Sequence, residues 1–129
     1  GLEVDALAGA PGVRSARFAG EHADDGANNA RLLDELAEIP AGERGARYRA
    51  VLVYLRSAED PAPVIAEGTW SGRIAEAPRG AGGFGYDPLF ELDDGRTAAE
   101  LPAGEKNLVS HRGKALAELR RRLEALSAD

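Results

Sequence analysis

Apolar positions change their spacing several times along the chain, and each change predicts an element. Leu2 to Leu7, LEVDAL, alternates as a short strand or extended segment does, and Gly9, Pro11 and Gly12 then force turns. Val13 to Gly20, VRSARFAG, reads as a loop or short helix carrying Arg14 and Arg17. The run EHADDGANNARLLDELAEIP has helical spacing: Leu32, Leu33 and Leu36, with Ile39 just beyond, make one apolar face. Asp24 or Asp25 can cap its first free N–H groups, and Pro40 and Gly42 end it. Arg47 to Leu55, RYRAVLVYL, is the clearest strand. It passes from alternation into a continuous apolar run, which predicts a centre buried on both faces. Ala62 to Ile74, APVIAEGTWSGRI, predicts a second strand with a bend near Gly68 or Gly72, joined to the first by a hairpin-like connection.

Beyond that pair, Arg79 to Gly83 is loop, and Glu91 to Leu101 holds a tight Asp94–Gly95 turn. From His111 to Asp129 the chain predicts an amphipathic helix, with Ala115, Leu116, Leu119, Leu123 and Leu126 on its apolar face. Ser110 is its candidate N-cap, which puts His111 and Arg112 in the first turn. Strands interleaved with helices over 129 residues predict one α/β domain, residues 1–129.

Charge narrows the partners. With 16 Lys and Arg against 22 Asp and Glu, the net charge of -6 opposes broad binding to a nucleic-acid backbone or an anionic membrane. It leaves room for a small anion held by a few local cations. With no cysteine, disulfides, thiolate chemistry and zinc–cysteine sites are excluded. No apolar run is long enough to span a bilayer, and the expected location is the cytoplasm.

Two polar, compact runs stand apart from this pattern. In GGFGYDPLF, Gly82 to Phe90, glycines allow backbone to approach a flat ligand closely. Phe84 and Tyr86 could stack on a base, and Asp87 could accept hydrogen bonds from a base or sugar, or orient a cation. The same aromatics could instead fill the core around a plain turn. In EKNLVSHRG, Glu105 to Gly113, Lys106, His111 and Arg112 bring donors to a helix start, where free N–H groups and the dipole favour an anion. A capped helix with a solvated basic first turn is the simpler alternative. Cations there oppose the dipole unless an anion is near, which favours the binding-site reading. Arg14 and Arg17 are weaker phosphate candidates. Glu3 and Asp5 share a strand face and could meet Mg²⁺. His22 reads as an exposed loop residue, and Arg120 to Arg122 as a solvated helix surface.

GLEVDALAGAPGVRSARFAG, GGFGYDPLF and TAAELPAGEKNLVSHRGKAL, in that order, resemble the inosine/xanthosine triphosphate pyrophosphatase family across almost the whole chain. The resemblance implies a mixed central β-sheet with flanking helices, an elongated shape and a cleft between lobes. It implies hydrolysis of noncanonical purine nucleoside triphosphates (ITP, dITP, XTP) to a monophosphate and pyrophosphate, with Mg²⁺, in a homodimer. Carried over by matching positions, Phe84, Gly85, Tyr86 and Asp87 would belong to the nucleobase pocket, with Phe84 against the ring. Lys106 would touch phosphate or the base pocket, and His111 and Arg112 would read the purine through its 6-oxo group. The family's N-terminal phosphate segment, metal-binding glutamate and aspartate pair have no match here. Since Ser-Gly-Leu follows that pair in the family and the present chain starts at Gly1, the general base is expected upstream of Gly1 and the chain to be the C-terminal two-thirds of the fold. The alternative is a catalytically inactive nucleotide-binding or scaffold module.

Overall fold

The computed structural model describes residues 1–127. In chain order the elements are β1 (Leu2–Val4), β2 (Pro11–Gly12), α1 (Asp25–Glu35), β3 (Gly45–Tyr54), β4 (Val64–Ile74), β5 (Phe90–Glu91), α2 (Ala103–Val109) and α3 (His111–Ser127), with short 3-10 turns between them. The five strands form one sheet in the order β2-β1-β3-β4-β5. The expected α/β architecture, a sheet with flanking helices, is present. Every pairing is antiparallel, so among the described residues the sheet is not of mixed direction. The connection from β1 to its neighbour β3 passes through β2 and α1 and brings the chain back antiparallel.

The β3–β4 hairpin is the backbone of the sheet. Its register runs without a bulge from Gly45 opposite Arg73 to Tyr54 opposite Val64. The bend expected near Gly68 or Gly72 is therefore replaced by another use of glycine. A Cβ at Gly68 would overlap the carbonyl oxygen of His111, and one at Gly72 would press on Phe90 and the carbonyl of Glu91. These glycines let α3 and β5 lie directly on β4.

The reading of β3 as buried on both faces also needs correction. Ala46 and Tyr48 point into the core, but Val51 and Val53 face away and are 50% and 55% exposed. A continuous apolar run does not tell a doubly covered strand from one covered on a single face. The core instead gathers Leu2, Val4, Leu32, Leu36, Tyr48, Trp70, Ile74, Leu89 and Phe90, joining β1, α1, the hairpin and β5.

Both long helices start as expected. Asp24 accepts from the Ala27 N–H at 2.8 Å and caps α1, and Ser110 accepts from the Gly113 N–H at 3.1 Å and caps α3. On α3 the apolar face is only partly used: Ala115 is buried, while Leu116 and Leu126 are exposed. The continuation of this helix over Ala128 and Asp129 lies outside the described residues. The helix α2 was not expected. Ser110 both closes it and opens α3, so Lys106 lies in its last turn and His111 in the first turn of the next.

Candidate functional site

A cleft of about 650 Å³ opens where the two polar runs meet, beside the end of β1 and the middle of β3. Phe84, Gly85, Tyr86 and Asp87 come from one run and Lys106, Ser110, His111 and Arg112 from the other, with Gly1, Ser15, Asp25 and Tyr48 completing the walls. The residues of the two polar runs expected to bind nucleotide, Phe84 to Asp87, Lys106, His111 and Arg112, are all in this lining.

The loop from Gly83 to Asp87 is clamped from several sides. Gly83 and Gly85 have φ of 70° and 61°, and a Cβ at Gly83 would collide with the Asp87 carboxylate. That carboxylate turns back into its own loop and accepts from the Phe84 N–H at 3.0 Å. The N-terminal turns of α1 hold Gly85 by its backbone: Asp25 accepts its N–H at 2.9 Å and Asn29 donates to its carbonyl at 3.2 Å. Tyr86 is buried and donates to the Ser15 carbonyl at 2.6 Å. With Tyr86 so used, Phe84 is the exposed aromatic of the loop, 54% exposed at the mouth.

Asp87 is buried and fully engaged. Its Oδ2 meets Lys106 Nζ at 2.5 Å as well as the Phe84 N–H, and its Oδ1 accepts from the Tyr48 hydroxyl at 3.2 Å. This geometry shapes the loop, and the cation that the carboxylate holds is Lys106. Lys106 Nζ and Arg112 Cζ lie 4.5 and 4.7 Å from the centre of the Phe84 ring. The two cations thus gather around an aromatic surface. Arg112 has no carboxylate partner among the described residues.

His111 lies at the floor. Its ring stacks on Tyr48 with centroids 4.6 Å apart and planes 12° from parallel, and its Nδ1 is buried without a hydrogen-bond partner. Burial above all, with the positive charge of Arg112 nearby, pushes its pKa down to about 4. At neutral pH it is therefore an uncharged imidazole with one N–H to give.

The weaker candidates fall elsewhere. Arg14 and Arg17 line a separate depression with Phe18 and Arg31 and do not reach the cleft. Glu3 and Asp5 do not share a strand, since β1 ends at Val4 and Asp5 opens a 3-10 turn; Glu3 pairs with Arg47 and Arg49 of β3 and Asp5 with Arg47. No group of three or more His, Cys, Asp or Glu is arranged to hold a metal among the described residues. With Asp87 spent on Lys106 and Tyr48, the side chains present do not fit a magnesium centre. His22 is exposed, as expected. Sequence reasoning missed Tyr48, Asp25, Asn29 and Ser15. Tyr48 had one signal: it sits between Arg47 and Arg49 on an alternating strand, so its hydroxyl points inward and needs a partner.

These features define a class: a small α/β domain whose glycine-rich aromatic loop and helix-start cations share one cleft. The chain belongs to the Ham1 family, whose pattern matches residues 1–122. It is 59% identical to the dITP/XTP pyrophosphatase of Xanthomonas campestris pv. campestris (strain 8004) over 129 residues, which are 98% of this chain and 64% of that protein. It is 58% identical to the dITP/XTP pyrophosphatase of Methylococcus capsulatus over 128 residues, again 98% of this chain and 64% of the relative. Among solved structures, a HAM1 protein from Coxiella burnetii superposes with a TM-score of 0.92 at 44% identity, covering 97% of this chain and 64% of that one. The Staphylococcus aureus Ham1 protein gives 0.89 at 40% identity, with the same coverage. The chain thus spans about 64% of the length of these relatives.

Proposed function

We propose that this chain supplies the purine-recognition part of a nucleoside triphosphate pyrophosphatase. The enzyme would act on ITP, dITP and XTP and release the monophosphate and pyrophosphate. The observation that carries the reading is the meeting of Phe84, Lys106, His111 and Arg112 in one cleft. Phe84 offers a face on which a base can stack, and Lys106 and Arg112 offer charge to phosphate or to the purine edge. A neutral His111 and Arg112 present donors. A 6-oxo purine accepts from them, whereas the 6-amino group of adenine would leave a donor unpaired, at a cost of about 1–3 kcal/mol. Selection against ATP follows from hydrogen-bond polarity.

Magnesium belongs to this proposal as the companion of the triphosphate, and no catalytic step is assigned to residues of this chain. Cytoplasmic action and a homodimer are parts of the same proposal; no helix among the described residues is long and apolar enough to cross a membrane. The alternative reading is a nucleotide-binding or scaffold module without turnover.

The test mixes the chain with ITP and Mg²⁺, with ATP as control. Binding is followed by calorimetry and pyrophosphate release by a coupled assay. Selective binding of ITP without release supports the recognition role proposed for this chain and fits both readings. Release from ITP well above that from ATP would show that its own residues suffice for turnover and would reject the alternative reading. A folded chain that binds neither nucleotide, or both equally, sinks the pocket assignment.

A further inference from the structure

Tyr48 lies in the central strand, opposite Leu2 on β1 and Trp70 on β4, and is 7% exposed. Its ring packs against Phe90 at 4.6 Å and Trp70 at 6.1 Å and lies nearly parallel to His111 at 4.6 Å. Its hydroxyl reaches Asp87. One side chain of β3 therefore touches both functional runs, the loop before β5 and the start of α3.

The two contacts do different work. Burial and the adjacent Asp87 raise the Tyr48 pKa well above its ordinary value, so the hydroxyl keeps its proton and donates. Given to Asp87 Oδ1, that bond turns Oδ2 toward Lys106 and the Phe84 N–H. Without it a buried carboxylate oxygen loses its donor, and the carboxylate is free to rotate away from Lys106. The ring has a second task. His111 Nδ1 makes no hydrogen bond, so no polar partner at that nitrogen fixes the plane of the imidazole. The face of Tyr48 does so by stacking.

We propose that Tyr48 is a positioning residue that sets the Lys106 ammonium through Asp87 and the plane of His111 through ring stacking, and so aligns the donors of the purine cleft. For its ligand the proposal rests on the nucleotide reading above. For the placement of Lys106 and His111 it does not.

The test compares the whole chain with Tyr48→Phe and Tyr48→Leu, each checked for folding by far-UV circular dichroism. His111 and His22 are the two histidines, which makes the His111 ring protons easy to assign by NMR. Those protons are expected upfield in the native chain and in Tyr48→Phe, where the ring remains, and shifted back in Tyr48→Leu. The groups that face the imidazole and bear on its titration are Asp87, Lys106, Arg112 and the Gly1 amine, and none is altered. In Tyr48→Phe the Lys106 side-chain resonances move, and ITP affinity falls roughly 3- to 10-fold, the size of one lost hydrogen bond. In Tyr48→Leu the fall is larger, so phenylalanine is a partial rescue.

A role limited to core packing would lower thermal stability in both variants and leave the Lys106 resonances and the ITP affinity in place, because loss of the Tyr48 ring current moves the His111 protons whatever the role of the ring. That result overturns the proposal. If Tyr48→Leu does not fold, Tyr48→Phe decides alone: unmoved Lys106 resonances reject the hydroxyl's role. If the native chain binds no ITP, the nucleotide reading fails, and the Lys106 resonances still decide whether Tyr48 positions that ammonium.

Discussion

At the scale of single residues, His111 makes the stability of the chain depend on pH in a way that can be signed. In the folded state its pKa is pushed down to about 4, chiefly by burial, whereas an unfolded histidine titrates near its ordinary 6.5. Between those values the unfolded chain binds a proton that the folded chain does not. Stability is therefore full above about pH 6.5 and falls as the pH drops toward the folded value. From pH 6.5 to about 5 most carboxylates are still ionised, so the loss there reports the histidine. Chemical denaturation across that range should show it, and His111→Asn should flatten the slope; an unchanged slope would mean that His111 is not held neutral. The presence of these residues was legible from EKNLVSHRG, because cations at a helix start conflict with the dipole unless an anion is near. The engagement of Asp87 was not. It depends on Tyr48, 39 positions away, and on Lys106, 19 positions away, and no local pattern carries contacts of that span.

At the scale of elements, the site exists because α3 starts directly on the sheet. Gly68 is what permits it: a Cβ there would overlap the backbone of His111 and Ala115 rather than the end of a flexible side chain. Gly68→Ala should push the start of α3 off β4, cost about 1–3 kcal/mol as an overpacked contact does, and weaken ITP binding with it. Urea denaturation and calorimetry on that variant provide the check; a stability within a few tenths of native would show that α3 is not seated this closely. The sequence pattern exposed the large elements for a simple reason. The apolar face of α1, the periodic leucines of α3 and the alternation in β3 and β4 are all local signals. The two-residue strands β2 and β5 are too short to show any period. The seven-residue α2 has Pro102 before it and Gly104 inside it, so breaker residues hid a helix. Gly68 read as a bend because a glycine in a strand signals either a kink or a close approach, and only the packed helix distinguishes them.

At the scale of the whole molecule, the sheet has an unfinished side. The strand β1 pairs with β3 only from Ala46 to Tyr48, and Gly1 and Arg49 exchange backbone hydrogen bonds just beyond. From Val51 to Tyr54 that edge of β3 has no partner strand among the described residues. In an antiparallel ladder the N–H and C=O of one residue point the same way, and this direction alternates along the strand. Since Arg49 points toward β1, Val51 and Val53 turn their backbone groups to the open edge. Their side chains, with Ile65 opposite Val53, add exposed apolar surface on the face away from the core. An edge with free donors and flanking apolar side chains invites pairing with another strand. The isolated chain should therefore self-associate in sedimentation velocity as its concentration is raised into the tens of micromolar. Val53→Pro removes an N–H that faces the open edge and leaves the hydrogen bonds between β3 and β4 in place, as proline on an edge strand does. That variant should sediment as a monomer over a range where the native chain associates. If the two sediment alike, association runs through another surface, such as the exposed leucines Leu116 and Leu126 of α3. If the native chain stays monomeric throughout, the open edge is too short or too twisted to recruit a second copy.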